Sequence, residues 1–346
     1  MTRQIQVHGT KIGGGAGVSV QSMTTTDTCD IEATLAQIER LAEAGCDIVR
    51  LAVPTNAAAE AVRDIARRSP LPIVADIHFN YKLALTCAAN GVAKLRINPG
   101  NIGKPEYVRL VADACKERGI PIRIGVNSGS LEAELLAKYG SPTAEALVES
   151  AEGHVRLLEA AGFYDIAVSM KSSDVPTTVE AYEAFARKFD YPLHVGVTAA
   201  GFGQSGLVKA AMGIGSLLLR GIGDTIRVSL TGDPVREVET ALDILRVAGL
   251  RKPRGLEIIS CPTCGRCKVD LEAVIAEFRK AYSDTKRDIS VAIMGCEVNG
   301  PGEAREADYG LAAGPVHATL FAKGEVIRKV ETAKAVEGLL DLINEM

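Results

Sequence analysis

The chain has 346 residues, 47% hydrophobic and 24% charged, with a formal net charge of −4 at neutral pH. That length suggests about two domains, with apolar material for one large core and one smaller one, and the weakly acidic balance argues against nucleic acid or an anionic membrane as a partner. The opening "MTRQIQVHGTKIGGG" has no apolar signal segment, and no apolar run approaches the roughly 20 residues of a membrane span, so the expected location is the cytoplasm.

From Val18 to about Leu250 one pattern recurs. A short β-branched or aliphatic run precedes an amphipathic stretch rich in Ala, Leu, Glu and Arg. The short runs are "VSVQSM" (18–23), "DIVRLAV" (47–53), "PIVADIH" (72–78), "KLRIN" (94–98), "IRIGVN" (122–127), "DIAVSMK" (165–171), "LHVGVT" (193–198) and "TIRVSL" (225–230). Stretches such as "IEATLAQIERLAEAG" and "VESAEGHVRLLEAAG" carry helical spacing. Gly45, Gly91, Gly119, Gly162 and Gly249 stand where a left-handed residue closes a helix. Alternating strand and helix means parallel strands with crossover helices. Eight such units in about 230 residues suit a (β/α)8 TIM barrel. A doubly wound open sheet is the alternative, weakened by the lack of a G-x-G-x-x-G after the first strand.

The pattern breaks near "RKPRG" (251–255), dividing the chain into 1–253 and 254–346. "LEIIS" reads as a strand, Leu271 to about Tyr282 as a helix and "ISVAIMG" (289–295) as another strand. "HATLFAKGEVIRKV" reads as a hairpin turning at Lys323-Gly324, and "ETAKAVEGLLDLINEM" as a closing helix. This is a smaller C-terminal α/β domain.

Chemistry in such a barrel belongs at the C-terminal strand ends. Here those ends are basic and polar: Arg50, Arg96, Arg123, Lys171 and Arg227, joined by Asp76, His78, Asn98, Asn127, His194, Thr198 and Ser229. Parallel strands are normally Val, Ile and Leu, and Arg inside one is costly without a partner. Some could pair with Asp76 as salt bridges inside the barrel, and a lone His is often a satisfied core residue. Taken together, the set points to a multiply anionic ligand such as a diphosphate.

Of eight cysteines, Cys29, Cys46, Cys87 and Cys115 are scattered and expected as buried thiols. Cys261, Cys264, Cys267 and Cys296 fall together, which in a reducing compartment suggests metal or redox chemistry. Cys261 and Cys264 follow one strand, and Cys296 another. Neighbouring parallel strands would bring those loops together. A zinc ribbon wants a second C-x2-C or a nearby His, so an iron–sulfur cluster with an unusual fourth ligand suits the pattern better. Two residues could be that ligand. Glu303 follows the "NGPG" turn, and Cys267 offers a thiolate, the usual cluster ligand, so the chemistry alone favours Cys267.

"SCPTCGR", "GCEVNGPGEA", "GDTIRVSLTGDP", "LRINPGNIG" and "RIGVNSGSL" resemble the (E)-4-hydroxy-3-methylbut-2-enyl diphosphate synthases of the methylerythritol phosphate isoprenoid pathway, in their two-domain bacterial form. The resemblance spans nearly the whole chain. It implies a TIM barrel joined to an iron–sulfur domain, one 4Fe-4S cluster per chain, and reductive ring opening of 2-C-methyl-D-erythritol 2,4-cyclodiphosphate. The cluster ligands implied are Cys261, Cys264, Cys296 and Glu303, with Cys296 and Glu303 taking part in catalysis and Cys267 a bystander. The implied substrate residues are Arg50, Arg96, Asn98, Arg123, Asn127, Lys171, His194, Thr198, Arg227 and Ser229. A reduced ferredoxin or flavodoxin would supply electrons, and a head-to-tail homodimer would bring one chain's cluster domain to the other's barrel. An alternative is a zinc-stapled barrel that binds a phosphorylated ligand without redox activity. Another is a pterin-type barrel transferase.

One position departs from the resemblance. The family pattern H-x-G-[VI]-T-E-A-G reads "HVGVTAAG" here, with Ala199 where the glutamate implied as proton donor or orienting acid would stand. Losing a general acid typically costs about 10²–10⁴-fold in rate.

Overall fold

The computed structural model describes residues 1–252, 255–284, 287–296, 302 and 305–346. They fall into two compact units, Met1–Arg251 and Lys252–Met346.

The first unit opens with a hairpin, β1 (Ile5–Val7) and β2 (Thr10–Ile12), which the sequence reading passed over. Eight parallel strands follow: β3 (Ser19–Met23), β4 (Ile48–Ala52), β5 (Ile73–Asp76), β6 (Lys94–Ile97), β7 (Ile122–Asn127), β8 (Ile166–Lys171), β9 (His194–Val195) and β10 (Thr225–Ile226). Their order is β8-β7-β6-β5-β4-β3-β10-β9. A parallel bridge from Val168 to Leu193 closes the ring, as does the bond from the Val168 N–H to the Pro192 carbonyl at 2.9 Å. All eight runs read from the sequence are strands, and the open-sheet alternative is not what forms.

The helices between strands include α1 (Ile31–Glu43), α2 (Asn56–Arg68), α3 (Tyr81–Ala89), α4 (Pro99–Ile102), α5 (Pro105–Arg118), α6 (Ala133–Tyr139), α7 (Ala144–Ala160), α8 (Val175–Ala186), α9 (Gly203–Leu218) and α10 (Pro234–Val247). Asp30, Thr55, Asn80, Asn98, Thr143, Asp174 and Asp233 cap the starts of seven of them with side-chain oxygens. Each such cap contributes about 1 kcal/mol. The glycines expected to close helices do have positive φ, for example Gly119 at 63° and Gly162 at 69°.

Apolar faces of the helices pack on the barrel in one large core. Inside the barrel the N-terminal end is different. Ile5, Val7 and Ile12 of the hairpin pack against Ile48, Val74 and Ala167, so a two-stranded plug seals the end opposite the strand C-termini. Cys46, Cys87 and Cys115 are buried as expected, whereas Cys29 is exposed. It lies in the polar "TDTCD" loop directly before the Asp30 cap.

The second unit is a five-stranded sheet in chain order: β11 (Leu256–Ser260), β12 (Ile289–Met294), β13 (Tyr309–Ala313), β14 (His317–Ala322) and β15 (Glu325–Glu331). β11, β12 and β13 run parallel, and the rest pair antiparallel. Helices α11 (Leu271–Ala281) and α12 (Ala335–Glu345) share a core with the sheet built on Phe278, Val291, Ile293, Leu311, Leu320, Leu339 and Ile343. The hairpin turns at Lys323 and Gly324, both at positive φ, as a two-residue turn of this hand requires. β13 was missed in the sequence. Its "YGLAA" is small because the ring of Phe321 lies where a Cβ on Gly310 would be. Among the described residues no helix is long and apolar enough to cross a membrane.

Candidate active site

Side chains alternate along a strand. Lys94, Arg96 and Asn98 therefore share the inner face of β6 and its end. Arg123, Gly125 and Asn127 share that of β7, and Ser169 and Lys171 that of β8. His194, Gly196 and Thr198 continue β9, and Thr225, Arg227 and Ser229 continue β10. The contacts follow this alternation. Arg96 donates to Asp76 Oδ1 and to the Gly125 carbonyl, both at 3.1 Å. With its amide oxygen turned to Arg96, Asn127 accepts from Nη2 at 3.2 Å. Arg50 lies 3.8 Å from Asp76, and Arg123 donates to Ser169 Oγ at 2.8 Å. Asn98 accepts from the Gly100 N–H at 3.0 Å, capping α4. The Thr198 N–H donates to the Ser172 carbonyl at 3.1 Å, and Ser229 is half-buried.

Two glycines, Gly125 in β7 and Gly196 directly after β9, make room for this set. A Cβ on Gly125 would overlap the Arg96 guanidinium, and one on Gly196 would stand 2.6 Å from Lys171 Nζ. Glycine inside a strand usually marks such a close approach, so "IRIGVN" and "HVGVT" already carried the signal.

Six cations, Arg50, Lys94, Arg96, Arg123, Lys171 and Arg227, influence one another here. Two carboxylates pair with them. Asp76 serves Arg50 and Arg96, and Glu237, from α10, lies 3.3 Å from Arg227. Neither Lys94 nor Glu237 was singled out in the sequence. Glu237 sits on the inward stripe of its helix, in a place where an apolar residue is the rule. Burial raises the Asp76 carboxyl, but Arg50 and Arg96 outweigh it and hold the group below its ordinary value. Burial pushes the Arg50 guanidinium down to about 10, with Arg227 and Arg96 acting in the same direction against Asp76. Burial drives His194 well down, helped by Arg123, Lys171, Lys94 and Arg50. Its ring is therefore neutral at pH 7. His78 is exposed and lies 3.8 Å from Asp76.

Ala199, at the mouth, is exposed and has φ of 47°. A non-glycine residue in this left-handed region is strained by about 1–2 kcal/mol. Strain of this kind gathers at functional sites.

In the second unit, β11 and β12 are parallel neighbours, with Ser260 beside Ile293. Their C-terminal ends bring Cys261 and the Gly295-Cys296 turn together, and the Gly295 N–H donates to Cys261 Sγ at 3.4 Å. Cys264 is exposed, and its thiol is lowered by the backbone and side chain of Arg266. Cys296 is buried. Backbone N–H groups aimed at sulfur and a thiol biased toward thiolate suit a thiolate-ligated cluster. Among the described residues no three His, Cys, Asp or Glu side chains are gathered closely enough to hold a metal ion, and Glu303 lies outside the described residues. Cys267 is engaged within its own loop. Its thiol donates to the Val269 carbonyl at 3.2 Å and lies against Gly295, where a Cβ would overlap it.

Residues 2–242 match the GcpE TIM-barrel domain, and residues 257–345 match the GcpE protein C-terminal domain. A Caldanaerobacter subterraneus subsp. tengcongensis protein named 4-hydroxy-3-methylbut-2-en-1-yl diphosphate synthase (flavodoxin) is 55% identical over 346 residues, all of this chain and 97% of its own length. A Clostridium perfringens protein of the same name is 56% identical over 342 residues, 99% of this chain and 98% of its own. Among solved structures, Yersinia pestis dihydropteroate synthase superposes with a TM-score of 0.53 at 12% identity, covering 72% of this chain and 98% of that one. That likeness is one of fold. The domain matches and the end-to-end identity together show that the chain belongs to the GcpE family.

Proposed function

We propose that this chain is an oxidoreductase of isoprenoid biosynthesis that reductively opens 2-C-methyl-D-erythritol 2,4-cyclodiphosphate to (E)-4-hydroxy-3-methylbut-2-enyl diphosphate, with reduced flavodoxin as electron donor. Its end-to-end likeness to the two relatives supports this reading. The structural observation that carries it is a barrel interior with six cations and two paired carboxylates. That surplus suits a doubly anionic cyclic diphosphate.

The reaction balances as substrate dianion plus two electrons and one proton, giving product trianion and water. Arg50, Arg96, Arg123, Lys171 and Arg227 hold the diphosphate, with Asn98, Asn127, His194, Thr198 and Ser229 orienting the carbon skeleton. As the ring C–O bond to phosphate breaks, negative charge gathers on a phosphate oxygen, and fixed guanidiniums facing it lower the barrier. The hairpin plug keeps water from entering at the opposite end. Cys261, Cys264, Cys296 and Glu303 would hold a 4Fe-4S cluster, which would supply the electrons one at a time. The pairing of one chain's barrel with another's cluster domain in a homodimer belongs to the same proposal.

The departing hydroxyl needs a proton. Ala199 has none to give. Asp76 is held ionised by Arg50 and Arg96, and His194 is held neutral. The test is anaerobic turnover by the cluster-reconstituted full chain with reduced flavodoxin, beside an Ala199→Glu variant. Turnover that rises about 10²–10⁴-fold in the variant is the expected result. Equal rates would show that position 199 does not carry the proton, and silence from both would overturn the proposed activity.

A further inference from the structure

Cys267 has no place in the proposed ligand set, yet the sulfur loop gives it another partner. Its N–H donates to the Cys264 carbonyl at 2.9 Å, closing a turn on Gly265-Arg266. A hydrogen-bonded turn of four residues holds its first and last Cα atoms within about 7 Å. Disulfides join Cα atoms roughly 4.4–6.8 Å apart. Cys264 and Cys267 are thus the two ends of a C-x2-C turn, a spacing met in reversible dithiol centres. The other C-x2-C of the loop is not folded this way. Pro262-Thr263 forms no turn. Cys261 is engaged instead by the Gly295 N–H at 3.4 Å and by the apolar cluster of Ala292, Met294 and Phe321.

The two thiols differ as an attacking and a resolving sulfur must. Cys264 is exposed, as are Gly265 and Arg266 beside it. A Cβ on Gly265 would meet nothing within 4 Å, so a small reagent reaches the turn without a clash. Cys267 is half-buried. Its thiol donates to the Val269 carbonyl at 3.2 Å and lies against Gly295, sheltered from reagents in solution. Arg266 and Lys268 are both exposed and stand next to Cys267 on either side. Positive charge around a thiol favours the approach of an anionic reagent.

We infer that Cys264 and Cys267 are a redox site: an anionic low-molecular-weight disulfide of the glutathione class converts them to a disulfide, and that disulfide bars cluster loading. The Cys264 thiolate attacks one sulfur of the reagent and releases one small thiol. Cys267 sulfur then attacks Cys264 Sγ and releases the second. Two cysteine thiols are oxidised to one disulfide, the reagent is reduced to two thiols, and the cysteine protons leave on them. The bar on loading rests on Cys264 as a cluster ligand, as proposed above; the disulfide does not. The test strips the full chain of iron with a chelator, incubates it anaerobically with oxidised glutathione, blocks remaining thiols by alkylation and maps the links by mass spectrometry. The parent should join Cys264 to Cys267. Cys267→Ser should stop at the glutathione adduct on Cys264, and Cys261→Ser should still form the link. Iron and acid-labile sulfide taken up on later reconstitution should fall at least about tenfold in the oxidised parent, because one thiolate ligand is consumed, and recover with dithiothreitol. Cys267→Ser kept reduced should load as the reduced parent does. Free thiols at both positions in the parent, or a link that needs Cys261, would overturn the inference and leave the cluster reading untouched. An oxidised parent that loads as well as the reduced one would overturn the bar on loading and remove Cys264 from the ligand set. A reduced parent that takes up no iron would sink the proposed cluster, and the bar on loading with it, while the disulfide stood.

Discussion

Asp76→Asn removes one charge and almost no volume from the most cation-rich part of the barrel. Asp76 is 3% exposed. It accepts from Arg96 at 3.1 Å, and Arg50 and His78 each lie 3.8 Å away. Removing one partner of a buried ion pair typically costs about 3–5 kcal/mol, since the remaining charge is left uncompensated. Arg96 keeps the Gly125 carbonyl and Arg50 keeps some solvent, which places the cost near the lower figure. For a unit of this size, about 3 kcal/mol lowers the thermal midpoint by about 6–12 °C. The sign with pH follows from the depressed carboxyl. Its contribution is fully present above the ordinary carboxylate pKa of about 4 and is lost as pH falls through the lower folded value. Thermal unfolding followed by circular dichroism from pH 7 down to pH 2 measures both effects. In Asp76→Asn the midpoint should start low, and part of the acid-side decline should be missing. Pyrophosphate should recover much of the loss, because it supplies the missing negative charge. A midpoint within about 2 °C of the parent at pH 7 would refute the argument that Asp76 neutralises this cluster.

Other outcomes follow from single contacts. Ala199→Gly should stabilise the chain by about 0.5–1 kcal/mol in denaturant unfolding, the left-handed strain at 47° outweighing glycine's extra freedom in the unfolded chain; a loss of stability would contradict it. His194→Gln should reduce the stability lost between about pH 6.5 and 5. The parent's neutral buried ring leaves the unfolded chain binding a proton that the folded chain does not, so parent stability rises with pH across that window; identical pH profiles would rule this out. Gly295→Ala should lower the iron and acid-labile sulfide recovered per chain, since its methyl would overlap Cys267 Sγ. Adding Cys267→Ala should restore cluster content, and a failure to restore it would mean the clash is not the cause.

The barrel was legible because its signals are local. Hydrophobic runs of strand length, helical spacing between them and closing glycines such as Gly45 and Gly162 each depend on neighbours in the chain. The paired parallel strands behind Cys261 and Cys296 were legible for the same reason. The hairpin plug was not, because "IQV" and "TKI" are too short to show a period, and what stabilises them is the end of a barrel built from residues far along the chain. β13 was hidden by a glycine whose purpose is the ring of Phe321.

By itself the sequence determined which residue types face inward, since alternation along a strand is a property of the backbone. It therefore named Arg50, Arg96, Arg123, Lys171 and Arg227 as one set. Tertiary structure alone decided which of them are neutralised. Glu237 reaches Arg227 from a helix, Asp76 divides itself between two arginines, and the buried Lys94 amine, held well below its ordinary value by burial and by Arg123, has no hydrogen-bond partner. Charge compensation acts through space at distances of a few ångströms, and spacing along a chain carries no record of which residues are brought that close.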